Sequence, residues 1–336
     1  MYYRSIARSL LLSSSCFTLL ACFATASLFC AAASAQFDEP KGNDGRGVRF
    51  GEERVFKWQA GVKIEANQGP VSGLYVTFTV PTDWPEQQVQ VIDTDVTPNC
   101  GEITTRQLNS GVMQMIINGA TIRAGEEGHI LVTMKVTTHV LLPPTDTSTW
   151  QIPKKAPKDV LPYLSPSSFI DSRQSKVRDK AKELTKDVES DWAKVEAIHD
   201  WVRDNVKLEE GELKGTVDAI KDGRASAEEI VSVFVALCRA AKVPARMVWV
   251  QGHFYAEFYL QEKDAKKGGG AWFPAELIGA RNFGGLANPK PILQKGDSID
   301  VPEYKEPQRF VPELVKGKKG GGRPSVTFVR DLLAND

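Results

Sequence analysis

The spacing of apolar residues changes several times along the chain. From Leu10 an apolar stretch runs almost unbroken toward Ala35. From about Arg54 to Leu142 apolar and polar residues alternate in short runs. Leu74, Val76, Phe78 and Val80 share one face, and the pattern resumes at 88–92, 113–117 and 130–136. Asn67-Gln68-Gly69-Pro70, Asn109-Ser110-Gly111 and Ala124-Gly125 supply turns between the runs. Period-two runs at this spacing predict an antiparallel, immunoglobulin-like β-sandwich over 36–142.

Pro143, Pro144, Pro153, Pro157, Pro162 and Pro166 then crowd one short window. They forbid a long helix, so 143–167 is expected to be a semi-rigid linker between two domains. Beyond it the period lengthens. Residues 171–188 are charged and helical in composition, and Trp192, Val195, Ile198, Val202 and Val206 form one stripe of an amphipathic helix. Residues 226–242 are apolar nearly all round, which predicts a helix buried on most sides. Runs at 247–250, 254–260 and 271–273 read as strands, the last two joined by a polar, glycine-rich loop over 261–270. A buried helix on an antiparallel sheet makes 168–300 an α+β domain. Residues 301–336, with apolar segments at 310–315 and 326–333 and a basic glycine-rich loop at 316–323, are expected to extend and pack on that domain.

Composition places the chain among globular proteins: 336 residues, 42% apolar and 25% charged. Arg4 and Arg8 before the first apolar stretch, and Ala33-Ser34-Ala35 at its end, mark 1–35 as an export signal cleaved after Ala35. The apolar part is also long enough for an uncleaved membrane anchor, which ranks second. Leu19-Leu20-Ala21-Cys22 faintly resembles a lipoprotein box and ranks third, because apolar residues follow Cys22. The expected location is secreted, periplasmic or in the cell envelope. Without the leader 40 basic and 42 acidic residues remain, so nothing in the charge points to nucleic acid. Membrane contact is expected only through the N-terminal segment, if it stays. Cys16, Cys22 and Cys30 leave with the signal. Cys100 and Cys238 are too few for a disulfide scaffold, and whether they pair is open. Neither CxxC nor HExxH nor an EF-hand loop occurs, so no metal or cofactor is expected. His129, His139 and His199 read as packing or surface residues.

Three blocks carry the candidate chemistry. Gly223-Arg224-Ala225-Ser226-Ala227-Glu228-Glu229 opens the apolar helix, which ends in Lys242-Val243-Pro244-Ala245-Arg246. His253-Phe254-Tyr255-Ala256-Glu257-Phe258-Tyr259 and Trp272-Phe273-Pro274-Ala275-Glu276 follow. In order and spacing the region 192–285 resembles the core of the transglutaminase-like, papain-related superfamily. That family reads G-D-C-x-E, a buried helix, G-I-P-A-R, H-A-W-x-E-x-Y and W-x-x-V-D. The resemblance implies a papain-like α+β domain with a cysteine at the helix start, a histidine on one strand and a carboxylate on the next. Counting back without a gap from Arg246 places the family's cysteine at Ala227. The histidine is His253 and the carboxylate position carries Glu276, a vestigial triad without its nucleophile.

The position matters because a thiolate forms where its pKa is lowered, at a helix N-terminus and beside a histidine. Ser226 and Glu229 fit a capping box, with Ala227 as the first helical residue. Ser226 is the alternative nucleophile, but as an N-cap its oxygen turns toward backbone N–H groups. Cys238 lies three helical turns on, about 16 Å along the axis, and reads as a buried structural cysteine. The expected function is a pseudoenzyme binding a peptide or protein segment in a cleft lined by Trp249, Tyr255 and Trp272. The alternatives are a cysteine-independent hydrolase or acyl transferase using His253 and Glu276, and a structural envelope protein with an unused cleft.

Overall fold

A computed structural model describes residues 47–98, 100–263, 269–317 and 323–334. The expected signal 1–35, with Cys16, Cys22 and Cys30, lies outside these residues, as do the middles of the loops 261–270 and 316–323.

The alternating N-terminal runs form long antiparallel strands: β1 (Arg49–Gln68), β2 (Val71–Val80), β3 (Gln87–Val96), β4 (Glu102–Gln107), β5 (Met113–Ile122) and β6 (Glu127–Leu142). Their inward positions, every second residue, build one core. Trp58, Ala60, Val62 and Ile64 of β1 meet Leu74, Val76 and Phe78 of β2 and Ile130, Val132 and Met134 of β6 there.

The next elements are β7 (Trp150–Gln151), α1 (Ser175–Thr185), α2 (Asp191–Asn205), β8 (Lys207–Leu208), α3 (Thr216–Asp222), β9 (Arg224–Ala225) and α4 (Ala227–Ala240). The strands β10 (Ala245–Val250), β11 (His253–Glu262), β12 (Gly270–Glu276), β13 (Asn282–Phe283) and β14 (Ile292–Lys295) follow, then β15 (Leu314–Lys316) and β16 (Arg323–Leu333). One sheet runs β13-β12-β11-β10-β14, and α4 packs on its β10 and β11 strands. Residues 229–239 of α4 are all buried, as its all-round apolar character requires. The chain is α+β with mostly antiparallel sheets.

The C-terminal extension departs from expectation. Instead of packing only on the α+β part, it returns to the sandwich. β16 pairs with β1 from Lys57↔Leu333 to Gln68↔Arg323, and β15 pairs with β2. The two sandwich sheets are therefore β16-β1-β6-β3 and β15-β2-β5-β4. The cause is edge satisfaction: without these strands β1 and β2 would present unpaired N–H and C=O groups. Phe328 of β16 adds its ring to the core, 5.9 Å from that of Phe78.

The proline-rich bridge is not a free span either. Its β7 pairs with the end of β11, and Trp150 is buried edge-on against Phe273, 4.8 Å between rings. Side chains also lock the sandwich to the second sheet. Gln87 accepts from Ile292 N at 2.6 Å and donates to Ile292 O at 3.0 Å, as a neighbouring strand would.

Candidate functional site

α4 starts where its sequence says it should. Ser226 is extended, and its Oγ accepts the Glu229 N–H at 3.3 Å. Only half of the expected capping box forms. The Glu229 carboxylate turns away from Ser226 and accepts Lys214 N at 2.8 Å and Gly215 N at 2.6 Å, pinning the entry to α3 against α4. The cap still satisfies one of the free N–H groups of the first turn, so Ser226→Ala should cost about 1 kcal/mol in urea unfolding. An unchanged stability would show that the cap contributes nothing to α4. Ala227, half-buried, is the first helical residue.

His253 is brought to the same end of α4 by chain direction. Arg239, in the last turn of α4, donates to Ala245 O at the start of β10, and Ser232 lies 3.6 Å from Met247 Sδ. β10 thus runs back along the helix toward its N-terminus. The two-residue turn Gln251-Gly252 follows, with Gly252 at φ +65°, and His253 opens β11. His253 Nε2 lies 2.8 Å from Glu276 Oε1, both side chains being largely buried. The histidine and the carboxylate are brought together.

His199, read from sequence as packing or surface, is fully buried on α2. Its Nε2–H donates to Glu276 O at 2.8 Å, and its Nδ1 lies 2.9 Å from Asp200 Oδ1. Burial lowers its pKa against the opposing pull of Asp200 and the Glu276 carbonyl. Its structural role is to hold the backbone whose side chain reaches His253.

The expected cleft lining needs correction. Tyr255 is 1% exposed, packed with Val248, Val250 and Leu286, and its hydroxyl has no hydrogen-bond partner among the described residues. Burial and the nearby Glu257 and Glu86 charges push that hydroxyl's pKa well up. The strand pleat explains this: His253, Tyr255, Glu257 and Tyr259 share the face opposite α4. Trp272 is taken up by protein contacts, with Arg246 at 4.0 Å from its ring and Tyr163 and Tyr259 edge-on. Trp249 faces the α4 side, where Phe310 packs on it at 5.4 Å and Arg330 at 5.5 Å.

Sequence reasoning missed a buried charge cluster on the Tyr255 face. Glu257 accepts Arg246 Nε at 2.7 Å through one oxygen and Lys295 Nζ at 2.7 Å through the other. Lys295 also binds Glu86 of the sandwich. Burial raises the Glu257 pKa, but the Arg246 and Lys295 charges outweigh it and hold the carboxyl below its usual range. Arg246 and Glu257 are the charged letters of two of the motif blocks. Cys100 and Cys238 are both buried free thiols, so they do not pair, and burial pushes the Cys238 pKa well up.

Residues 178–277 match the family model of the transglutaminase-like superfamily. No curated protein matches the chain. Among solved structures, a "Putative Cysteine Protease from Cytophaga hutchinsonii" is similar to it at 19% identity, covering 86% of this chain and 94% of that one, with a TM-score of 0.56. A "Putative Protease from Parabacteroides distasonis" is 13% identical over 72% of this chain and 49% of that one, with a TM-score of 0.27. The first of these likenesses bears on the fold alone. Residues 178–277 are a transglutaminase-like domain.

Proposed function

We propose that the protein is an exported pseudoenzyme of this fold, which holds a polypeptide segment without cutting or crosslinking it. The observation that carries the reading is Ala227 at the capped start of α4, with His253 and Glu276 still paired across β11 and β12. A methyl group cannot attack a carbonyl, and the neighbouring Ser226 spends its oxygen on the Glu229 N–H. This argues against the alternative of a cysteine-independent hydrolase. Export rests on the sequence of the first 35 residues. A second reading, a structural envelope protein with an unused cleft, is favoured by one observation: Tyr255 is buried and Trp249 and Trp272 already have protein partners.

The vestigial-site part of this reading is tested by Ala227→Cys. A thiol at a capped helix start should have a pKa lowered into the range of about 3.5–7.5 known for such sites. It should alkylate rapidly at mildly acidic pH, while buried Cys100 and Cys238 stay inert. A further slowing on adding His253→Ala would put the imidazole within reach of that thiol. A folded variant that alkylates no faster than a free thiol would sink the alignment on which the reading stands.

A further inference from the structure

We propose that His199 is a proton-operated clamp between α2 and Glu276, so that the backbone carrying the partner of His253 is held more tightly in acid. Both ring nitrogens of His199 face oxygen acceptors: Nε2 lies 2.8 Å from Glu276 O, and Nδ1 lies 2.9 Å from Asp200 Oδ1. A neutral imidazole carries one N–H and one lone pair, so it can donate to only one of them. With the proton on Nε2, the lone pair of Nδ1 is turned toward a carboxylate oxygen. An imidazolium donates at both ends. The contacts are those of the charged ring.

The side chain is fully buried, and the Phe283 and Phe234 rings lie 5.0 and 6.1 Å from it. The charged groups around it are Glu196, Asp200 and Arg203 on α2, Glu276 on β12, and Arg281 between β12 and β13. Arg281 holds both Asp200 oxygens, at 2.9 and 3.0 Å, and Glu196 at 2.6 Å. Arg203 Nη1 donates to Glu276 O at 3.1 Å and its Nη2 to Gly279 O at 2.8 Å. Arginine keeps its proton, so these bonds fix the two acceptors whatever state the ring is in. Burial has the largest effect on His199 and lowers its pKa, against the pull of Asp200 and the Glu276 carbonyl and with the help of Arg281. The proton therefore arrives below the ordinary histidine value of about 6.5. Burial raises the Asp200 pKa, but its bonds to Arg281 and His199 outweigh this and hold it below the usual carboxylate range. Asp200 is thus still ionised when the ring is charged. Above that point the ring serves one oxygen, and below it α2, Asp200 and Glu276 are joined through one imidazolium. Glu276 carries the effect onward, since its Oε1 lies 2.8 Å from His253 Nε2.

Nitrogen NMR of the histidine rings in the whole chain tests this. There are four histidines, and His199→Gln identifies the signals of one of them. On acidification from about pH 8 to about pH 4.5, across the ordinary histidine range, the His199 Nδ1 signal should move from that of a bare ring nitrogen to that of a protonated one. Nε2 should stay protonated throughout. The carbonyl carbon of Glu276 should shift at the same midpoint. That step should vanish in His199→Gln, while the titration of His253 remains. Asp200→Asn removes the attracting charge and should lower the His199 midpoint by roughly one pH unit. It decides the matter if His199→Gln fails to fold by circular dichroism, and an unmoved midpoint counts against the clamp. An Nδ1 already protonated at the alkaline end, or a Glu276 carbonyl that ignores the His199 titration, overturns the proposal. Unfolding of the protein before Nδ1 takes up its proton does the same, because the clamp would then never close in the folded chain.

Discussion

Purified and assayed for amine incorporation or peptide hydrolysis, the protein should read at background, with or without iodoacetamide. Removing the nucleophile from a catalytic unit of this type costs on the order of 10⁶ in turnover even when the remaining groups stay in place. The remaining groups do stay: His253 is 2.8 Å from Glu276. On the proposed reading they lack a group to activate. Ser226 caps α4, and its hydroxyl is far less acidic than a thiol. Cys238 is buried within α4, its pKa pushed up, about 16 Å along the helix from Ala227 at 1.5 Å per residue. Cys100 is buried in the sandwich core. Turnover that alkylation abolishes would show that one of these thiols reaches a substrate, and it would end the pseudoenzyme reading.

Much of the domain around Ala227 could be read from local pattern, because local physics sets it. Ser226 before an all-apolar run predicts a capped, buried helix, and α4 begins at Ala227 as that cap requires. Strand positions followed from period-two alternation. Partners did not follow. The alternation at 326–333 identifies β16 as a strand but holds nothing that names β1 as its neighbour, since pairing across the length of the chain is decided by which edges are left unsatisfied. The bridge shows the same limit: its prolines exclude a long helix, yet Trp150 finds a buried site against Phe273. The ion pair of Arg246 and Glu257 is legible in the sequence. The two-residue turn Gln251-Gly252 fixes the hairpin register and sets those two residues opposite each other.

That pairing changes what the surviving motifs mean. The contacts of Arg246 and Glu257 give them a role unconnected with catalysis: they are halves of a buried ion pair that also ties Lys295 and, through it, Glu86 of the sandwich. The domain cannot cheaply lose one of these charges.

Glu257→Gln should therefore be among the most damaging single substitutions in the domain, at about 3–5 kcal/mol in urea unfolding at neutral pH. The change is nearly isosteric and removes only the charge. Arg246 would be left against the Trp272 ring, and Lys295 would keep Glu86 alone. With the Glu257 and Lys295 side chains each 3% exposed, water cannot make up the loss. The pH dependence gives an independent check of sign. Burial raises the Glu257 pKa, but Arg246 and Lys295 lower it further, so the folded carboxyl titrates below its unfolded value. A depressed carboxylate contributes its full stability above the ordinary glutamate pKa of about 4.3 and loses it as pH falls through the folded value. The stability gap between wild type and Glu257→Gln should therefore be widest at neutral pH and narrow as the solution is acidified below about pH 4. A gap under about 1 kcal/mol at neutral pH, or one that does not narrow in acid, would mean that the cluster is solvated and contributes little.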